Sequence, residues 1–305
     1  MKKIIVIGVI ILFLGTAVIP SITSHNPGAQ SLNTGMRIDF FESNPTEENL
    51  SKAELIDFPS TIYLRASSLE EFRVLEAKLH QINPGLEAAY FPFLDKSIFV
   101  SPFCFTYELK NLIKELENRQ NKTTLKVLLD LELPWNKTQL ITNLLSFHKN
   151  KKLLRQLFEK SDELNIEVYT AEYPAPNKLA QKFFELLGVS YSLAKYPHKM
   201  MMMYYSKMLG KYFPSFINFI KPFINNSVKR QIAYNSKKYG QNFQVAVGII
   251  ATGGGGSSEE KYLISPDTLD GDLNFLAESG VKNAVVFKLG GLNESYLNVI
   301  KKYQG

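Results

Sequence analysis

Two carboxylates stand two residues apart at the end of an apolar run, Thr124-Leu125-Lys126-Val127-Leu128-Leu129-Asp130-Leu131-Glu132-Leu133-Pro134-Trp135. In an extended chain successive side chains alternate, so Asp130 and Glu132 share one face and Leu129, Leu131 and Leu133 take the other. Two acids on one face at the end of a buried strand are costly to place without a use for them. The chemistry that such a pair serves is acid/base catalysis, in which one carboxyl holds a proton that the other does not. The plainer alternative is the solvated end of a strand.

The elements that must position this pair alternate along the chain. Apolar, β-favouring runs occur at residues 61–65, 86–91, 125–131, 166–172, 188–192, 199–206, 243–251 and 283–289. Helical periodicity lies between most of them: Leu69, Phe72, Leu75, Leu79 and Ile82 share one face, as do Leu109, Leu112, Ile113 and Leu116. Further helices are expected within 139–164 (two segments divided near Lys149-Asn150), 177–187, 266–279 and 294–303, and a long crossover spans 209–239. Eight nearly continuous apolar strands alternating with helices predict an α/β chain folded as a (β/α)₈ TIM barrel. An open doubly wound sheet is the alternative, but no Gly-x-Gly-x-x-Gly turn follows the first strand. In a barrel the strand C-termini line the active mouth. Those positions hold Arg65, Phe91, Asp130, Glu132, Glu172, Tyr173, Tyr204, Tyr205, Ser206 and Lys288.

Here the chain resembles TIM-barrel glycoside hydrolases of the chitinase and lysozyme type. Their motif is Asp-x-x-Asp-x-Asp-x-Glu at one strand end, with Met-x-Tyr on the sixth strand. Asp130-Leu131-Glu132 matches the last Asp-x-Glu, and Met202-Met203-Tyr204 matches Met-x-Tyr. The two upstream acidic positions hold Leu125 and Leu128, the Asp-x-Glu falls on the third strand by this count rather than the fourth, and Phe287-Lys288-Leu289 replaces the eighth-strand tryptophan. The resemblance implies Glu132 as proton donor, Asp130 as the group that orients and charge-stabilises the sugar, and Tyr204 as a hydrogen-bond donor to the intermediate. Trp135, Tyr173 and Phe91 would stack on sugar faces, with Arg65, Tyr205 and Lys288 also lining the substrate cleft. Glu172 is the alternative second catalytic carboxylate, whose separation from Glu132 would set retention or inversion. A barrel that binds a glycan or cell-envelope polymer without turnover is the non-enzymatic alternative.

Composition bounds the rest. The 305 residues carry a net charge of +6 and one cysteine, Cys104, so an internal disulfide and a cysteine zinc site are excluded. His25, His80, His148 and His198 have no ligand spacing, so no histidine metal site and no cofactor are expected, and a carboxylate-bound metal stays an open alternative. The thioethers of Met200–Met203 alternate faces on a strand and belong to the core rather than to one ion. Lys2 and Lys3 precede an apolar run over 4–19 and the small residues Pro20-Ser21-Ile22-Thr23-Ser24, which reads as a signal peptide or N-terminal anchor over 1–24 and predicts export. A polar stretch over 25–57 reads as a linker, leaving 58–305 for the barrel. Gly253, Gly254, Gly255 and Gly256 follow the seventh strand, where barrels often hold phosphate; with Lys288 and Arg65 they are the alternative site of a phosphodiester or phosphosugar enzyme. No acid occurs from Leu186 to Ser258, and the basic and aromatic residues at about 207–240 suit an anionic membrane surface; an exported chain has no expected nucleic-acid partner.

Overall fold

The computed structural model describes residues 35–120, 123–134, 142–208, 221–252 and 259–304. Eight parallel strands close into a barrel in sequence order, and each is followed by a helix. The strands are β1 (Arg37–Glu42), β2 (Thr61–Ala66), β3 (Glu87–Pro92), β4 (Leu125–Asp130), β5 (Ile166–Glu172), β6 (Lys199–Met203), β7 (Phe243–Gly248) and β8 (Asn283–Phe287). The helices are α1 (Glu47–Ser51), α2 (Leu69–Ile82), α3 (Thr106–Glu117), α4 (Phe147–Lys160), α5 (Lys178–Leu187), α6 (Lys221–Tyr239), α7 (Pro266–Glu278) and α8 (Glu294–Lys301). This is the (β/α)₈ barrel that the alternation predicts.

Two strand assignments differ from the reading of the sequence. β1 lies inside the stretch expected to be a linker. Met36, Ile38 and Phe40 face the helices and are fully buried, while Asp39 and Phe41 face inward, so the barrel begins at residue 37 rather than at 58. The stretch 188–192 is a turn instead of a strand. Gly188 ends α5 in the left-handed conformation (φ 65°), and a Cβ there would stand 2.5 Å from Pro102 Cγ. Gaining one strand before residue 61 and losing one after residue 187 keeps the total at eight. It also moves the strand that ends in Asp130 from third to fourth, the position that the chitinase pattern gives it.

Both faces of the sheet are buried, which accounts for apolar runs without alternation. The outer face packs on the helices. The inner face fills the barrel with Phe41, Tyr63, Ala89, Leu128, Tyr169, Ala171, Met201, Met203, Ala246 and Val285. The methionine run divides as its alternation predicts, Met200 and Met202 outward, Met201 and Met203 inward. Charges close the N-terminal end of the barrel: Arg37 bonds Asp39 at 2.9 Å and Glu87 at 2.8 Å, and Lys126 reaches the same Glu87 carboxylate at 2.6 Å.

Cys104 is buried at the start of α3, and burial pushes its thiol up to about 12. Native protein is therefore expected to resist a thiol reagent at pH 8, and to react fully once unfolded in guanidinium. Rapid native labelling would show that this region opens.

Candidate active site

At the C-terminal end of the barrel the inward register continues through Phe41, Arg65, Phe91, Asp130, Glu132, Tyr173, Tyr205 and Phe287, as strand alternation from the interior residues requires. β4 ends at Asp130, with Glu132 just beyond it, two residues on and on the same side. From β5, Tyr173 leans across: its hydroxyl accepts the Leu133 N–H and donates to Glu132 Oε2, both at 3.3 Å. That contact fixes the chain just past β4 and orients one carboxylate. Arg65, from β2, lies with its guanidinium carbon 3.6 Å from the centre of the Phe93 ring and acts electrostatically on Asp130.

Asp130 is partly covered as a residue, yet its Oδ1 is sealed from solvent and has no hydrogen-bond partner among the described residues. Burial, and then the charge of Glu132, hold its carboxyl well above the usual range, with Arg65 opposing them. Two acids on one face therefore retain a proton where isolated carboxylates would have lost it. The surrounding wall is aromatic. Phe41 lies 5.9 Å from Phe91 and 5.7 Å from Phe287, and Tyr205 lies 6.0 Å from Phe287, between ring centres. Among the described residues no group of three His, Cys, Asp or Glu side chains converges on one point.

Three expected site residues point elsewhere. Glu172 follows Ala171 and precedes Tyr173, both inward, so it turns outward into the layer between sheet and helices. There it accepts from Thr170 Oγ1 at 2.8 Å and the Tyr191 N–H at 3.2 Å, and it shares no cleft with Glu132. Tyr204 also faces outward. Its hydroxyl donates to Asn225 Oδ1 at 3.1 Å and its ring packs 5.7 Å from Phe275. The inward Met-x-Tyr is thus Met203-Tyr204-Tyr205, one residue later than the sequence match, and Tyr205 takes the place expected of Tyr204. Lys288 is buried on the outer side, 3.5 Å from Glu42, so it does not line the mouth. Trp135 and Gly253–Gly256 lie outside the described residues. Reading the sequence missed Phe41, hidden in the supposed linker, and Phe287, whose signal was its parity with Val285.

Glu172 has a consequence of its own. Burial pushes its carboxyl up to about 8 against its bonds to Ser190, Thr170 and Tyr191, whereas burial pushes His198, 3.9 Å away, down to about 4. Both are neutral at pH 7, and the contact is a proximity rather than an ion pair. The folded state thus holds a proton on Glu172 that the unfolded chain loses above about pH 4.3, so this group lowers stability as pH rises to about 8. His198 acts oppositely below about pH 6.5, because only the unfolded chain protonates it there. The two slopes offset each other in acid. A net fall in Tm is expected between about pH 6.5 and 8, and Glu172→Gln is expected to flatten it. An unchanged slope in that variant would show that another group is responsible.

No protein-family model matches the chain, and no curated protein matches its sequence. Solved structures do match. The spore cortex-lytic enzyme of Bacillus cereus superposes with a TM-score of 0.51 at 8% identity, over 88% of this chain and 74% of the other. A family GH18 chitinase from Cycas revoluta, solved with allosamidin, gives 0.51 at 10% identity over 88% and 98%. A chitinase from Chromobacterium violaceum gives 0.50 at 8% identity over 88% and 98%. The chain is distantly similar to TIM-barrel glycoside hydrolases. At these identities the likeness is one of fold, and the chemistry has to be argued from the residues of this mouth.

Proposed function

We propose that this barrel cleaves a glycosidic bond, with Glu132 as the general acid. The observation that carries the reading is the inward pair Asp130 and Glu132 at the end of β4, with Tyr173 holding Glu132. A sugar seated on the Phe41, Phe91 and Phe287 wall would present its glycosidic oxygen to Glu132. Asp130 would orient the reacting ring and share its retained proton with Glu132, Tyr205 would donate a hydrogen bond from the sixth strand, and Arg65 would complete the cleft.

Among the described residues, no second strand contributes an inward carboxylate at its C-terminal end, since Glu42 and Glu172 both face outward. The ordinary mechanism needs carboxylates on both sides of the scissile bond. A single pair on one strand fits the substrate-assisted route, in which the sugar's own acetamido group is the nucleophile. The substrate class is therefore a polymer of N-acetylated sugars, as in a cell envelope. Residues 1–24 support an extracytoplasmic place of action, although among the described residues no helix is long and apolar enough to cross a membrane.

Leu125 and Leu128 at the upstream motif positions favour a second reading, a barrel that binds such a polymer without turning it over. Incubation of the protein with chitin-type and peptidoglycan-type oligomers, followed by mass spectrometry of the products, separates the two. Cleavage of acetylated but not of deacetylated oligomers is expected. Saturable binding with no product would replace the hydrolase by the binding barrel, and absence of both would sink each reading.

A further inference from the structure

α5 is an unusual barrel helix. Its sequence, Lys-Leu-Ala-Gln-Lys-Phe-Phe-Glu-Leu-Leu, is mostly apolar, yet Ala180 is its only buried residue. Leu179 is 57% exposed and Leu186 66% exposed, with Lys178 and Lys182 beside them on the surface. The next helix, α6, exposes Asn226, Arg230, Tyr234, Lys237 and Lys238, a stripe at helical spacing. Tyr234, 46% exposed, joins the two helices: Lys178 Nζ of α5 lies 5.8 Å and Lys238 Nζ of α6 5.7 Å from its ring centre. The two helices hold seven basic residues against one acid, Glu185, an excess equal to the net +6 of the whole chain.

We infer that the α5–α6 face is a membrane-docking surface for anionic lipid. Protruding leucines and a tyrosine among lysines are the composition of an interfacial contact, in which apolar side chains enter the headgroup boundary and the cations meet lipid phosphates. A purely polyanionic partner would account for the lysines but leave Leu179 and Leu186 without a use. The sequence points to the same kind of partner, because residues 4–19 are an apolar run preceded by Lys2 and Lys3. α5 also backs the mouth: Phe184 lies 6.1 Å from the ring of Tyr173, which holds Glu132. Docking through this face would hold the mouth beside the bilayer. The inference does not depend on the hydrolase reading.

The test is co-sedimentation of the full chain with phosphatidylcholine vesicles, with and without about one-third phosphatidylglycerol, at low and high salt. The apolar N-terminal run contributes to both vesicle types, so the informative quantity is the ratio of the two partition coefficients. A ratio of tenfold or more, lost in high salt, is expected. Lys237→Glu/Lys238→Glu is expected to lower it by about fivefold per lysine. Leu179→Ser/Leu186→Ser should weaken binding to anionic vesicles while circular dichroism and Tm stay unchanged, because both side chains are exposed. A ratio near one, or one that neither double variant alters, overturns the proposal. So does salt-sensitive binding to single-stranded nucleic acid or polyphosphate without binding to vesicles.

Discussion

Glu132→Gln is expected to lower kcat on an acetylated oligomer by about 10²- to 10⁴-fold, the range in which a positioned general acid contributes. KM should change little, because the amide keeps the size of the side chain and can still accept from the Tyr173 hydroxyl that now meets Glu132 Oε2 at 3.3 Å. That split separates loss of a proton from loss of a fold or of a binding surface. Asp130→Asn should also slow turnover, for a different reason. Asp130 has its Oδ1 sealed from solvent, shares one face with Glu132, and is held above the usual carboxylate range by burial and by that neighbour's charge. An amide there cannot take up or release the proton that the pair retains. Tyr173→Phe is expected to lower kcat modestly and to leave binding intact, since it removes one contact that orients Glu132 and leaves the carboxyl in place. If Glu132→Gln retained a tenth or more of the activity, Glu132 would not be the acid.

The barrel was legible because its strands are apolar on both faces and helical periodicity falls between them. What the sequence hid was parity. On a strand buried on one side, alternation announces which residues face the core. On β5 both faces are buried, so Tyr169, Ala171 and Tyr173 on one side look no different from Thr170 and Glu172 on the other. A one-residue uncertainty in facing then exchanges the site for the wall behind it. It made Glu172 look catalytic, chose Tyr204 over Tyr205, and put Lys288 in the mouth in place of Phe287. Asp130 and Glu132 escaped because Leu129 and Leu131 mark the opposite face and are fully buried. β1 was hidden for another reason. Arg37, Asp39 and Glu42 give it a charged appearance, but the first two belong to the ion pairs closing the N-terminal end and the third pairs with Lys288. Charges that are satisfied only by distant partners read in sequence as solvated ones.

That last pair carries the largest stability effect expected in the molecule. Glu42, at the end of β1, and Lys288, just after β8, have side chains 0% and 2% exposed, with Nζ 3.5 Å from Oε1. Glu42 also accepts the Asn44 N–H at 2.7 Å and the Gly290 N–H at 2.8 Å, so one carboxylate ties the first strand to the chain beyond the last. Burial still outweighs these partners and leaves its carboxyl above the usual range, which marks the pair as dearly desolvated. Lys288→Met would strand that carboxylate, and unfolding in urea is expected to show a loss of about 3–5 kcal/mol. Removing both charges is a different matter. In Glu42→Gln/Lys288→Met the amide oxygen still accepts a backbone N–H, no buried charge remains, and most of the lost stability should return, as happens when buried pairs are replaced together. A double variant as unstable as Lys288→Met alone would mean that the lysine acts through packing at the closure of the barrel rather than through its charge.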